Sequence, residues 1–169
     1  IELWLMVLFL FAIYLIVIVS RKYKKNESFK YEQETLELDR KLFNKIRNEL
    51  VTNKSVEYFR SNRFSSGRFE DNKLDFIYET MESSRNPDFE FFHPELEIVK
   101  KELISSLKKF DESTLNNIFS AKPIGWLAIP KDWDEERYFA AVEVIRKGED
   151  EICKKYDSFI KTGRRILKI

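Results

Sequence analysis

The hydrophobic positions of this chain form one unbroken block followed by several interrupted stripes. The block is IELWLMVLFLFAIYLIVIVS at the start; from Leu3 to Val19 it holds no charge, no Gly and no Pro. At about 1.5 Å per residue, those 17 residues span roughly 26 Å, close to the ~30 Å hydrocarbon core of a bilayer. The pattern predicts a transmembrane helix. A secretory signal peptide would require a basic start, a shorter apolar run and a small-residue cleavage site. Here the start carries Glu2, and RKYKK follows the run.

Beyond Ser20 the apolar residues recur at helical spacing. Leu36, Leu42, Phe43, Ile46 and Leu50 share one face, on a helix that begins near Ser28 or continues the membrane span. A turn at Thr52-Asn53 follows, and Ser55 is a candidate cap for a short helix carrying Val56, Tyr58 and Phe59. Ser65 to Gly67 reads as a loop. Leu74, Ile77, Tyr78 and Met81 form the next stripe, with Asp71 as N-cap. RNPDFEFF interrupts it, and Pro94 opens the clearest helix. There Leu96, Val99, Leu103, Leu107, Phe110 and Ile118 recur in three- and four-residue steps, as far as Phe119. An apolar extended piece, Ile124 to Ile129, lies between Pro123 and Pro130. Asp132 or Asp134 then caps a last helix with the stripe Tyr138, Val142, Ile145, Ile152, Tyr156, Phe159 and Ile160. Gly148 costs that helix about 1 kcal/mol relative to Ala, and Gly163 reads as its stop.

These elements predict an all-α fold in two parts. Residues 1–25 are a transmembrane anchor with a basic inner flank; residues 26–169 are a cytoplasmic bundle of four to five helices with one Pro-bounded apolar loop. Four Gly and four Pro in 169 residues favour helices over turn-rich sheets. Fifteen Phe favour a packed body over a disordered tail.

Arg21, Lys22, Lys24 and Lys25 follow the span and no Lys or Arg precedes it, which places the bundle on the cytoplasmic side. Trp4 and Tyr23 stand near the two ends, where amphipathic rings favour the interface. We therefore expect a single-pass protein of the cell inner membrane, its N-terminus outside. The lone Cys153 fits a reducing compartment. The span has no small-residue packing face and no charge at mid-depth, so it reads as an anchor rather than a pore.

Charge narrows the partners. Setting Glu2 aside, 28 acids and 30 bases follow the span, too balanced for general nucleic-acid binding. The only histidine, His93, sits among Asp88, Glu90, Glu95 and Glu97. As a helix start, this stretch puts Pro94 at the first helical position, Glu95 in the first turn and His93 at the cap. A metal site would recruit more than one His, and a general base would need a partner and a pocket. A hydrolase or nuclease using Asp88, Glu90, His93 and Glu95 is thus the least favoured reading. No phosphate loop, dinucleotide fingerprint, zinc-protease helix or nucleophile elbow occurs, so no enzyme activity, metal or cofactor is expected.

Three further stretches carry candidate contacts. Arg60, Arg63 and Arg68 alternate with Phe59, Phe64 and Phe69. Either the rings go inward while the guanidinium groups stay wet, or the stretch docks on single strands, anionic lipid or a partner. Trp126 and Trp133 lie in an apolar loop, as buried rings or as interface anchors. At the C-terminus, Lys161, Arg164, Arg165 and Lys168 with Ile166, Leu167 and Ile169 form either a basic amphipathic tail or the last turn of a helix.

The run LFNKIRNEL…VEYFRSNRF…LDFIYETMESSRNPDFEFFHPELEIVKKELISSLKKF resembles a domain of uncharacterised bacterial single-span membrane proteins with a helical cytoplasmic part. There too, a short F-x-x-L-x-x helix precedes an F-[FL]-x-x-E-L-E segment and a long helix. The likeness covers Leu42 to Phe110, through apolar positions plus Glu95-Leu96-Glu97, and implies no activity. Together these features lead us to expect a membrane-anchored protein–protein interaction module, a subunit or adaptor of an inner-membrane complex. Its partners would be another membrane-associated protein and the lipid bilayer. The alternative is a membrane-acting effector of a bacterial defence or toxin–antitoxin system, gated by its helical domain and working as a homo-oligomer.

Overall fold

A computed structural model describes residues 32–169. Helix α1 (Gln33–Lys45) widens into one π-helical turn (Ile46–Leu50), and α2 (Asn53–Arg60) follows. Strand β1 (Arg68–Glu70) leads through a 3-10 turn (Asp71–Leu74) into α3 (Asp75–Ser83). Then come α4 (Pro94–Asn117), strands β2 (Phe119–Ala121) and β3 (Trp126–Ala128), and α5 (Glu135–Leu167). Among the described residues no helix is long and apolar enough to cross a membrane. The expected span Leu3 to Val19, its interface residues Trp4, Arg21, Lys22, Tyr23, Lys24 and Lys25, and any helix start near Ser28 lie outside the described residues.

The fold is mostly helical but not all-α. The three strands make an antiparallel sheet in the order β1-β3-β2. The extended piece expected between Pro123 and Pro130 supplies the central strand. Its two partners are not expected from the sequence: β1 directly follows the Ser65–Gly67 loop, and β2 begins at Phe119, where the α4 stripe is expected to end. Helix α4 in fact ends at Asn117, where Ile118 turns to extended backbone (φ −122°, ψ 132°). Three-residue strands carry too little alternation to stand out in a sequence; only their pairing makes them strands.

Helices α4 and α5 run antiparallel, tied by Glu102–Lys155 at 3.1 Å and by Arg165 on Glu95. The core lies between them and α1, α2 and β1. Six phenylalanines, Phe43, Phe59, Phe64, Phe69, Phe110 and Phe159, are fully buried there. Burying each ring contributes about 1.5–3 kcal/mol, and their edge-on and tilted contacts add to this. Phe64 meets Phe69 at 4.6 Å, Phe59 meets Phe110 at 5.1 Å, and Phe43 meets Phe159 at 4.9 Å.

Several local expectations change on folding. Thr52, not Ser55, caps α2: its Oγ1 accepts from the Ser55 N–H at 3.2 Å. Asp71 opens the 3-10 turn rather than capping α3, and accepts from the Asn72 N–H. On α3, Tyr78 faces solvent while Leu74, Ile77 and Thr80 are buried. Of the two aspartates before α5, Asp134 is the cap, accepting from the Arg137 N–H at 2.9 Å. Gly163 does not stop α5. The helix continues to Leu167, which is buried, and Arg40 caps its end by donating to the Leu167 carbonyl at 3.0 and 3.2 Å. The C-terminal basic segment is therefore a packed last turn and not a separate tail. Position 163 is a glycine inside the helix because the Phe43 ring lies against it; a Cβ there would stand 2.0 Å from Phe43 Cε2.

Candidate functional site

The stretch around His93 is organised as a helix start. His93 is the N-cap of α4, and its Nδ1 accepts from the Glu95 N–H at 3.2 Å. Burial lowers the His93 pKa, against the raising influence of Glu95 and Asp39. Two carboxylates hold the incoming chain. Asp39 of α1, 1% exposed, accepts from the N–H groups of Phe92 and His93 at 2.8 and 3.0 Å. Glu97 accepts from the Phe91 N–H at 2.9 Å and pairs with Lys100 at 2.8 Å. Burial pushes the Glu97 carboxyl up, but its bonds to Lys100, Phe91 and Lys101 outweigh this and hold it low. Lys100, itself buried, donates to the Phe89 carbonyl. Among the described residues no group of three or more His, Cys, Asp or Glu is placed to hold a metal ion.

Asp39 was not singled out in the sequence, although it occupies the apolar stripe of α1 between Leu36 and Phe43. An acid at a core position is the signal that finds it. Replacing Asp39 by Ala leaves two amides without their acceptor, and we expect a loss of about 1–2 kcal/mol. Urea unfolding of D39A against wild type measures it.

The alternating Arg and Phe stretch resolves the same way. Phe59, Phe64 and Phe69 are buried while Arg60, Arg63 and Arg68 are exposed. The phenylalanines offer no stacking surface to a single strand. The arginines then part company. Arg60 turns to α5 and pairs with Asp157 at 2.5 Å. Asn62 adopts a left-handed conformation (φ 51°) that ends α2, and the turn sends Arg63 into a groove with Arg68.

That groove is the assembled site. It has a volume of about 560 Å³ and is walled by Lys54, Tyr58 and Arg63 on one side and by Arg68, Glu70, Lys73 and Trp126 on the other. Four cations face two carboxylates, Glu57 and Glu70, and each carboxylate already has a cation beside it: Arg60 at 3.6 Å and Lys73 at 3.4 Å. The remaining positive charge is open to solvent. Arg68 stands over the Trp126 indole at 5.4 Å and donates to the Lys122 carbonyl, which fixes both side chains. Burial raises the Tyr58 pKa, so its hydroxyl stays protonated and can donate.

Strand register extends the site across the sheet. Arg68 pairs with Ala128, which pairs with Phe119; Glu70 pairs with Trp126, which pairs with Ala121. Paired residues share a face, so Arg68, Trp126 and Phe119 line the outer face while Phe69 points to the core. Phe119 is 45% exposed and meets Trp133 at 5.7 Å, and Arg137 stacks on Trp133 at 3.7 Å. Ile124, at the tip of the β2–β3 turn, is fully exposed. Trp126 and Trp133 thus border one surface, each with an arginine over its ring. Arg164 is exposed on α5, and Arg165 is engaged by Glu95 in the same helix pair; neither joins this surface.

A second depression, about 1190 Å³, lies between α1 and residues 82–92. Its Lys41, Lys45 and Arg85 are balanced by Glu82, Asp88 and Glu90, so it favours no ligand charge. Burial raises the Cys153 pKa to about 11, which favours the protonated thiol at neutral pH. Compared with family models, curated proteins and solved structures, the chain matches none of them.

Proposed function

We propose that this protein is a membrane-anchored protein–protein interaction module, a subunit or adaptor of an inner-membrane complex. The observation that carries this reading is the exposed sheet face with its groove. There Arg63, Arg68, Phe119, Trp126 and Trp133, drawn from three separate stretches of chain, meet on one side of a packed helical body. Aromatic rings and arginines are the residues interfaces use as anchors. The uncharged segment Leu3 to Val19, with its basic flank, supplies the attachment. Confinement to a surface raises the effective concentration of a bound partner, and this is how such a module acts without chemistry of its own.

The test is an affinity pull-down of the full chain in mild detergent, beside a variant carrying Arg63→Glu and Arg68→Glu. A stoichiometric partner that is retained by the wild type and lost by the variant is the expected result. Both arginines are exposed, so the variant should stay folded and lose only about 1–2 kcal/mol of stability, from the Arg68 contacts with Lys122 and Trp126. A chain that runs alone as a homo-oligomer and depolarises membranes on expression would overturn the adaptor reading in favour of a membrane-acting effector.

A further inference from the structure

The hydrogen-bond pattern of the sheet shows which edge is open. The Asp71 N–H donates to the Gly125 carbonyl at 3.0 Å, so these two residues form a hydrogen-bonded pair. Alternation along an antiparallel ladder then makes Phe69 and Leu127 the next such pair. Arg68 and Glu70, one residue to either side of Phe69, therefore turn their main-chain N–H and C=O groups away from β3. No described strand lies on that side, because β1 is an edge of the sheet. The basic groove is lined by Arg68 and Glu70 of this edge strand and by Lys54, Tyr58 and Ser61 of the α2 region.

We propose that an extended, acidic segment of a partner protein binds in this groove by adding a strand to the free edge of β1. This rests on the interaction-module reading and names the partner's chemistry. Main-chain hydrogen bonds to Arg68 and Glu70 set the register, as in other strand-addition complexes. Carboxylates of the segment meet Arg68 on one wall and Lys54 and Arg63 on the other. The apolar side chains between them turn to the opposite face of the added strand. A concave slot with two carboxylates inside it suits a single protruding chain; a continuous anionic membrane surface would meet Glu57 and Glu70 as well. The short β1 limits the added strand, so charge supplies much of the attraction and binding weakens steeply with salt.

The test is fluorescence anisotropy of the full chain in detergent with a labelled synthetic peptide in which glutamate alternates with valine. Two analogues of equal charge are N-methylated on alternate amides, one set for each edge of the added strand. Strand addition predicts that one analogue binds as the parent does, while the other binds roughly tenfold or more weakly. Arg63→Glu with Arg68→Glu should weaken the parent about a hundredfold. Equal binding of both analogues would reduce the site to a charge patch and overturn strand addition. Competition by phosphatidylserine-containing vesicles or by a single-stranded oligonucleotide, with no discrimination between the analogues, would assign the groove to those ligands instead. A partner still captured by the arginine double variant in the pull-down would defeat this inference and leave the adaptor reading standing.

Discussion

Gly163→Ala should destabilise the protein by about 3 kcal/mol, although helix propensity alone predicts a gain of about 1 kcal/mol. The opposed signs make the experiment decisive. Gly163 is inside α5, where alanine is ordinarily the better residue. The Phe43 ring occupies the space a Cβ would need, with three ring atoms at 2.0, 2.6 and 2.7 Å. The ring cannot retreat, since it is fully buried and packed on Phe159. Urea unfolding should show a lower midpoint with an unchanged slope, the mark of lost stability without a changed denatured state. Combining Gly163→Ala with Phe43→Leu should recover part of the loss and give a strong coupling energy. A more stable G163A would mean that the ring does not approach the helix as described. Gly148, where a Cβ would meet Phe110 Cδ2 at 2.7 Å, should behave alike but more mildly.

Glu149→Ala should cost a similar amount, about 3 kcal/mol, because it strands buried donors and leaves a cavity. Glu149 is fully buried on α5. Its Oε1 accepts from the Phe64 N–H at 2.9 Å and its Oε2 from the Ser65 hydroxyl. These bonds hold the turn that follows Arg63, so the substitution should weaken groove binding as well. Glu149→Gln keeps an acceptor for Phe64 and a polar partner for Ser65, and should recover most of both losses.

The same residue sets a pH dependence. Burial raises the Glu149 pKa above the ordinary 4.5, and the bonds from Ser65 and Phe64 only partly offset it. A carboxyl with a raised folded-state pKa stabilises the fold fully below its unfolded value; that contribution is lost as pH rises through the folded value. Glu97 runs the other way: its lowered pKa gives stability that is lost as the pH falls. The difference between wild type and E149Q isolates Glu149. The wild type should gain stability relative to E149Q as pH falls from neutral towards the ordinary carboxyl range. A constant difference across that range would show that Glu149 titrates as it does in the unfolded chain.

Much of the helical framework was legible in the sequence because a helix repeats its inward positions every three or four residues. The stripe Leu96, Val99, Leu103, Leu107 and Phe110 marks α4, and Pro94 with His93 marks its start. The inward turn of Phe59, Phe64 and Phe69 was also readable from their alternation with arginine. The exceptions within the stripes carried information too. Asp39, Lys100, Glu149 and Gly163 all stand at core positions, and all but Lys100 are there for a neighbour distant in sequence.

What only tertiary structure decided was everything that depends on residues far apart in the chain. A three-residue strand has no periodicity of its own; β2 and β3 form a hairpin, and β1 is a strand only because it pairs with β3 across more than fifty residues. Gly163 reads as a stop until Phe43 is laid on it. Arg60, Arg63 and Arg68 read as one basic stretch until the fold pairs Arg60 with Asp157 and brings Arg63 and Arg68 into one groove. Local sequence sets helix phase, since neighbouring residues fix it; a groove needs surfaces that meet only when the core closes.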